Sequence, residues 1–551
     1  MINPIITSLF LLVLQALTIT AAPTSAAVGP TVVLRPGKVI GTTTVLGSSA
    51  TPIVVNKFLG IPFAVTPPKR FLPPEPLYQY SGPVNATAFK GICIQQDNGD
   101  ALIASETEDC LYLNVYAPSV KKCDDDELLP VLFWIHGGDL KQGTGAEANV
   151  DGSSFVANQN VVVVTINYRL NGNVFGFSNA PNLAINQRNV GFLDQRFALQ
   201  WVQDNIAAFG GDPAKVTIFG ESSGASSVDR ILTAPPVNTT QPLFRAAILE
   251  SGQATVSAFA NAGGPTAWST LVNALNCTVP ANSTNLEADE FSCVQAADTF
   301  TIRSTINANS VYTFSPVNDN VTQQATPFLA AREAGNVAKV PILIGSNGQE
   351  GLLLAIIYLI PDFSLVTLPL LEEVLYSLTG SITVVESILP IISAIQAEFP
   401  YFDLFEAVAQ VYTEAVYQCP AKLVASATTG LGIPTWRYYF NATIPNLQYP
   451  GYPSLGAYHG SDVRIVWGTY PAANATNQEI EVSKVIQTAW ATFAKDPWSG
   501  PGWTEYGQAN NSLACLGCNG TGGVELISDV GLDSRCAYYE SLYAVTTTPF
   551  F

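Results

Sequence analysis

Val216-Thr217-Ile218-Phe219-Gly220-Glu221-Ser222-Ser223-Gly224-Ala225 reads as a buried strand running into a tight turn and then a helix. Its centre, Gly220-Glu221-Ser222-Ser223-Gly224, fits G-x-S-x-G, the pattern of a nucleophile elbow. A serine hydroxyl is a weak nucleophile and must be held exposed beside a base. A sharp strand-to-helix turn does this but crowds the residues on either side, and Gly220 and Gly224 leave room where a Cβ would clash. The helix that follows aims its first N–H groups at developing negative charge. The pentapeptide also fits an ordinary strand-turn-helix junction, so its reading depends on what surrounds it.

The surroundings repeat the same unit. Val131-Leu132-Phe133-Trp134-Ile135 is a continuous apolar run, as a parallel strand buried on both faces requires. It ends in His136-Gly137-Gly138-Asp139, where glycines past the strand let backbone N–H groups face a ligand. Val161–Asn167, Ala246–Leu249 and Pro341–Gly345 are further buried strands, and Glu108–Tyr116 alternates as a strand does. Asp194–Phe209 is helical: Phe197, Trp201, Val202, Ile206 and Phe209 share a face at 3.6 spacing, and Gly210-Gly211 ends it. Prolines between Thr66 and Pro76 fix an extended surface path. Apolar strands alternating with helices predict an α/β fold, a mostly parallel sheet with helices on both faces. Without repeats or linker-like stretches, residues 28–551 read as a single domain with helical insertions.

The chain has 551 residues, 48% hydrophobic and 12% charged, enough to bury a large core and too apolar for disorder. Its net charge of −19 repels nucleic acid and anionic membrane, which excludes both as partners. Ile5–Ala16 is apolar and small residues follow to Ala27, so residues 1–27 read as a secretory signal peptide, cut near Ala21, Ala22 or Ala27. The run is shorter than the ~20 residues needed to span a bilayer. A secreted, extracellular protein should carry glycans and disulfides. N-x-[ST] sequons stand at Asn85, Asn238, Asn276, Asn282, Asn320, Asn441, Asn474, Asn510 and Asn519. The nine cysteines are Cys93, Cys110, Cys123, Cys277, Cys293, Cys419, Cys515, Cys518 and Cys536, and the odd count leaves one unpaired or paired between chains. Cys515-Leu516-Gly517-Cys518 has redox or zinc spacing; with two histidines in the chain, a local disulfide or pairing with Cys536 is the better reading. No metal or organic cofactor is expected.

A serine nucleophile needs a base, and histidine has the suitable pKa. The two candidates are His136 and His459. His136 precedes glycines at a strand end, where an oxyanion loop belongs. His459 lies late, in Ala457-Tyr458-His459-Gly460-Ser461-Asp462. Elbow hydrolases run in the order serine, acid, histidine, which selects His459. The acid should follow a strand between them, and Ile342-Leu343-Ile344-Gly345-Ser346-Asn347-Gly348-Gln349-Glu350-Gly351 offers Glu350. Such a carboxylate would hold the imidazole tautomer and stabilise the imidazolium; its alternative role is a helix cap.

With these residues in place, the sequence resembles the carboxylesterase type B family of α/β-hydrolases, which includes cholinesterases and fungal secreted lipases. Gly220–Ala225 resembles the family's serine signature, and Glu108-Asp109-Cys110-Leu111-Tyr112-Leu113-Asn114-Val115 its second signature. The resemblance extends through Arg535-Cys536. It implies Ser222 as nucleophile, Glu350 as acid, His459 as base, and Cys93–Cys110 and Cys277–Cys293 disulfides. It also implies an oxyanion hole from the N–H groups of Gly138, Asp139 and Ser223. Two of these depart from the family, with Asp139 at the third glycine and Ser223 at the usual alanine. An inward carboxylate at Asp139 would oppose the oxyanion, so it is expected to point away or be hydrogen-bonded.

Leu352–Ile360 is nearly all apolar, and Leu365–Ile395 is rich in Leu, Ile and Val. Pro361 interrupts this stretch, so a membrane span is not expected; the stretch reads either as buried helices of an insertion or as an apolar acyl pocket or lipid-facing lid. The predicted activity is hydrolysis of apolar or lipid-like carboxylic esters through an acyl-enzyme. The rival is a catalytically weak or inactive binding or adhesion protein on the same fold, suggested by Asp139.

Overall fold

The computed structural model describes residues 29–545 except 49–50, 97–104, 120–126, 171–173, 235–242, 255–263, 280–285, 309–313, 357–368, 370–371, 373–381, 401, 450–454 and 511. The expected signal peptide, Cys123, Asn238, Asn282 and Pro361 fall outside the described residues.

The strands are β1 (Thr31–Leu34), β2 (Gly37–Ile40), β3 (Thr42–Ser48), β4 (Thr51–Pro62), β5 (Val84–Asn85), β6 (Tyr112–Pro118), β7 (Leu129–Ile135), β8 (Val162–Ile166), β9 (Gly211–Glu221), β10 (Ala246–Glu250), β11 (Ile342–Asn347), β12 (Thr435–Phe440), β13 (Leu513–Leu516) and β14 (Val524–Ile527). A small sheet joins β1, β2 and β5, and an 11-stranded sheet runs β14-β13-β12-β11-β10-β9-β7-β8-β6-β4-β3. Pairing is parallel from β8 through β7 to β13 and antiparallel at both margins.

The continuous apolar runs are explained by burial on both faces. In β7, Val131, Phe133 and Ile135 enter the core on one face, and Leu132 and Trp134 enter the core on the other. This is the period-2 alternation of a strand whose two sides are both covered. The helix Val190–Asn205 covers the first face through Ala198, Leu199 and Val202. The helix Asn477–Lys495 covers the second through Val482, Ile486, Trp490 and Phe493, its N-terminus fixed by a Thr476/Glu479 capping box.

The helix expected at Asp194–Phe209 starts a turn earlier, at Val190, and its last turn tightens into a 3-10 segment, Ile206–Phe209. Asp194 stood as the first residue of the expected helix. It is instead a buried anchor inside the helix, accepting hydrogen bonds from the backbone N–H of Arg169 at 3.1 Å and its guanidinium at 2.8 and 2.7 Å.

Four disulfides are present among the described residues: Cys93–Cys110, Cys277–Cys293, Cys419–Cys536 and Cys515–Cys518. Cys515 and Cys518 thus pair locally, and Cys536 goes to Cys419. That bridge closes a separation of 117 residues, which contributes nearly 5 kcal/mol in the chain-entropy model.

The apolar region after Glu350 forms a third core. Leu353, Leu354, Ile388, Ile391, Ile395, Val408 and Tyr412 pack together with the Cys419–Cys536 bridge. Its helix Ile382–Glu398 carries Pro390 in its interior. Among the described residues no helix is long and apolar enough to cross a membrane.

Candidate active site

β9 lies between β7 and β10, with Gly220 opposite both Ile135 and Leu249. The helix Ser223–Thr233 leaves immediately after Ser222. A Cβ at Gly220 would lie 2.6 Å from the Ile135 carbonyl oxygen, and one at Gly224 would strike the carbonyls of Ile135 and His136. The two glycines are what let the helix fold back over β7. Ser222 itself takes φ 57°, ψ −125°, a conformation that costs on the order of 1–3 kcal/mol for a non-glycine residue. Its N–H donates to the Glu250 carbonyl at 2.9 Å, and its own carbonyl accepts from Ser226 N–H at 3.0 Å. These bonds hold the strained turn and leave the hydroxyl partly exposed.

His459 and Glu350 converge on that hydroxyl. His459 Nε2 lies 2.9 Å from Ser222 Oγ, and Nδ1 lies 2.7 Å from Glu350 Oε2. Glu350 is fully buried, and its other oxygen accepts the Asn347 N–H at 2.6 Å. The acid loop also grips the histidine loop. Gln349 N–H donates to the Ala457 carbonyl at 3.0 Å, Ala457 N–H donates to Gln349 Oε1 at 2.7 Å, and Asn347 Nδ2 donates to the Tyr458 carbonyl at 3.0 Å. Three residues far apart in sequence are therefore fixed by backbone contacts as well as by their own side chains.

The loop after β7 brings Gly138 (φ 103°) and Asp139 (φ 56°) beside the elbow. No hydrogen bond among the described residues uses the N–H groups of Gly138, Asp139 or Ser223, so three donors stand ready for an anion. The Asp139 carboxylate forms an ion pair with Lys141 at 2.6 Å, as expected of a side chain turned to a partner. Ser223 is a tie rather than a simple departure from the family: its Oγ accepts the buried Leu140 N–H at 3.1 Å, linking the helix to the loop. His136 is stacked on Tyr168 at 4.3 Å, and burial lowers its pKa to about 4, which keeps it neutral. The second signature is structural. Asn114 bonds Gly60 N–H, the Gly145 carbonyl and Thr165, and Glu108 pairs with Arg70. Cys277–Cys293 belongs to the separate apolar cluster around Trp268 and Phe291. Of the described sequons, Asn85, Asn276, Asn320, Asn474, Asn510 and Asn519 are exposed. Asn441 is half-buried and accepts from Gln349 Nε2 at 3.3 Å.

Sequence reasoning missed a group of buried acids behind the histidine. Glu221 Oε1 lies 3.4 Å from His459 Nε2, Asp462 accepts from Asn347 Nδ2 at 2.9 Å, and Glu250 accepts from Trp490 Nε1 at 2.5 Å. Burial pushes Glu221 up to about 8 and Asp462 up to about 6, and raises Glu250 strongly. For His459, burial alone would lower the pKa; the negative charges of Glu221, Glu350 and Asp462 outweigh it and hold the imidazole up to about 9. A site arranged this way favours a positive histidine, the species formed when it takes a proton from a nucleophile. The available signal was an acid at the variable position of G-x-S-x-G, ending an otherwise apolar strand.

Comparison with known proteins identifies the family. Residues 28–521 match the family model described as the carboxylesterase family. The chain is 33% identical to the para-nitrobenzyl esterase of Bacillus subtilis (strain 168) over 80% of this chain and 86% of that protein. It is 31% identical to carboxylesterase 1D of Rattus norvegicus, covering 87% and 88%, and 32% identical to carboxylesterase 1F of Mus musculus, covering 92% and 93%. The chain belongs to the carboxylesterase family, on the α/β-hydrolase fold, and is a carboxylic ester hydrolase.

Proposed function

We propose that the hydrolysis runs through an acyl-enzyme on Ser222, with His459 as general base and Glu350 as its orienting acid. The observation that carries this reading is the unbroken chain of contacts, 2.9 Å from Ser222 to His459 and 2.7 Å from His459 to Glu350. Ser222 Oγ attacks the ester carbonyl as His459 Nε2 takes its proton. The N–H groups of Gly138, Asp139 and Ser223 receive the oxyanion. Collapse expels the alcohol, which leaves with the proton from His459. Water then attacks the acyl-enzyme, giving its proton to His459, and the carboxylic acid departs as Ser222 recovers its hydrogen.

The substrates are esters with an apolar acyl group. The third core borders the histidine, with the Tyr417 ring 4.7 Å from the imidazole and Leu353 and Leu354 directly after Glu350. On the other side of the oxyanion loop, a cavity of about 280 Å3 bordered by Gly138, Glu221, Gln95 and Arg303 suits a polar group. The four disulfides, the exposed sequons and the apolar leader support a secreted, glycosylated enzyme.

The test is hydrolysis of p-nitrophenyl esters from acetate to palmitate by the parent and by Ser222→Ala. Loss of the nucleophile is expected to lower kcat on the order of 10⁶. The acyl-length profile of the parent then reports the pocket. A folded parent that hydrolyses nothing, or a Ser222→Ala variant that keeps its rate, would overturn the proposal, the former in favour of a binding protein.

A further inference from the structure

A second cavity, of about 980 Å3, opens at the opposite end of the parallel strands. Its wall includes Leu243 and Phe244, which lead into β10, and Val337 and Val340, which lead into β11. Ser222 and Glu350 follow the far ends of β9 and β11, so a strand length of roughly 17 Å separates the two sites. The remaining wall comes from the helix Val190–Asn205 and from the end of the helix Ser223–Thr233. Phe197, Ile231, Leu243, Val337, Ala338 and Val340 pack against the main core but are only partly buried. Among the described residues they form an apolar surface left uncovered, and such surfaces mark sites of interaction. The volume lies at the upper end of the roughly 300–1,000 Å3 typical of small-molecule sites.

Two cations border this hollow, Arg196 and Lys339. Arg196 is partly buried, yet among the described residues no hydrogen bond and no ion pair within 4 Å engages its guanidinium. Burial lowers its pKa to about 10, and the Asp319 charge opposes that only in part. Among the buried arginines, Arg169 is ion-paired with Asp194, Arg332 with Asp229, Arg437 with Asp533 and Arg535 with Glu414, and Arg230 donates to Gln323 and the Ser226 carbonyl. A guanidinium bordered by an apolar wall, open to solvent and without a protein acceptor is free to pair with an anion. The ligand that completes it has an anionic head and a long apolar tail.

We propose that this cavity binds a long-chain carboxylate, with the carboxylate on the Arg196 guanidinium, Lys339 at the rim, and the alkyl chain along Phe197, Ile231 and Val337. A carboxylate is the class of product that a carboxylic ester hydrolase releases, so the site places a product sensor on the face away from the elbow. The site rests on the cavity and its cations, not on the triad proposed above.

The experiment is calorimetric titration of the intact protein with laurate, beside Arg196→Gln, Arg196→Lys and Ala338→Trp. Dodecyltrimethylammonium serves as the probe of opposite charge, and p-nitrophenyl acetate turnover reports on the distant elbow. Loss of a charge-assisted pair in Arg196→Gln should weaken laurate on the order of tenfold or more, with acetate turnover unchanged. Arg196→Lys should retain most of the affinity, and Ala338→Trp, which fills the hollow, should abolish binding. If Arg196→Gln does not fold, Ala338→Trp decides the question alone. Absence of laurate binding, equal affinity in Ala338→Trp and the parent, or tighter binding of the cationic probe would overturn the proposal. Laurate binding is measured independently of turnover, so failure of the triad reading would show separately.

Discussion

Glu221→Gln keeps the volume of the side chain and removes one negative charge 3.4 Å from His459 Nε2. At an effective dielectric near 20, two unit charges at that distance interact by about 5 kcal/mol. That is a ceiling, because Glu221 is buried, is itself pushed up to about 8, and titrates with His459 as a coupled pair. A quarter to a half of the ceiling remains, about 1.2–2.5 kcal/mol, or about one to two pH units on the histidine. The sign follows from the charge. A carboxylate favours imidazolium, so its removal lowers the His459 pKa, and the neutral base persists to lower pH. The assay is kcat/KM for p-nitrophenyl butyrate from about pH 6 to 10, which brackets the raised histidine of the parent. The acid limb of the variant should sit about one to two units below that of the parent. The plateau should fall, because the imidazolium formed during attack loses a stabilising charge. A midpoint that stays in place, or moves up, would refute the view that Glu221 holds the histidine up.

Glu350→Gln preserves the shape of the contact to His459 Nδ1 but removes the charge and the preference for the reactive tautomer; kcat should fall by about 10⁴ in the same assay. Asp139→Gly removes a half-exposed ion pair with Lys141, worth about 0–1 kcal/mol, and relieves a residue at φ 56°, worth about 0.5–1 kcal/mol. The melting temperature should therefore barely move and kcat should stay within about threefold; a large drop in rate would show that the carboxylate takes part. Ser223→Ala leaves the buried Leu140 N–H without its acceptor at a cost of about 1–3 kcal/mol. The expected result is a small loss in Tm and a loss in kcat of up to about tenfold with KM little changed, since the loop it restrains carries the proposed oxyanion donors Gly138 and Asp139.

The parallel centre of the sheet was legible because burial on both faces writes itself as uninterrupted apolar runs. Val131–Ile135 and Pro341–Gly345 could be read as strands from composition alone, and they became β7 and β11. Helix limits were less legible where a polar residue served the interior. Asp194 carries the composition of a helix start and the position of a core anchor, because Arg169 approaches it from another part of the chain. The partner of Cys536 was unreadable for the same reason. Cys419–Cys536 joins segments 117 residues apart, and no local pattern announces that their helices meet. The local Cys515–Cys518 pair could be named as an alternative because its spacing alone permits it.

The positions of the proposed triad were legible for a different reason: chemistry ties each to a mark that sequence retains. Ser222 is bracketed by glycines required by the close approach of Ile135, Glu350 follows a buried strand, and His459 is one of two histidines. The buried acids carry no such mark. Glu221 and Glu250 end adjacent parallel strands and lie opposite each other in register, while Asp462 arrives on the histidine loop. The field of Glu221 and Asp462 at His459 exists only when separate chain segments converge. In a chain with 12% charged residues, however, an acid closing each of two neighbouring apolar strands is itself a departure from pattern. Strand ends on the side of the elbow are where such a departure carries information, because a carboxylate there is too costly to bury unless it acts on a neighbouring charge. His459 is that charge, which makes the pH profile of Glu221→Gln a test of the fold's convergence as much as of the residue.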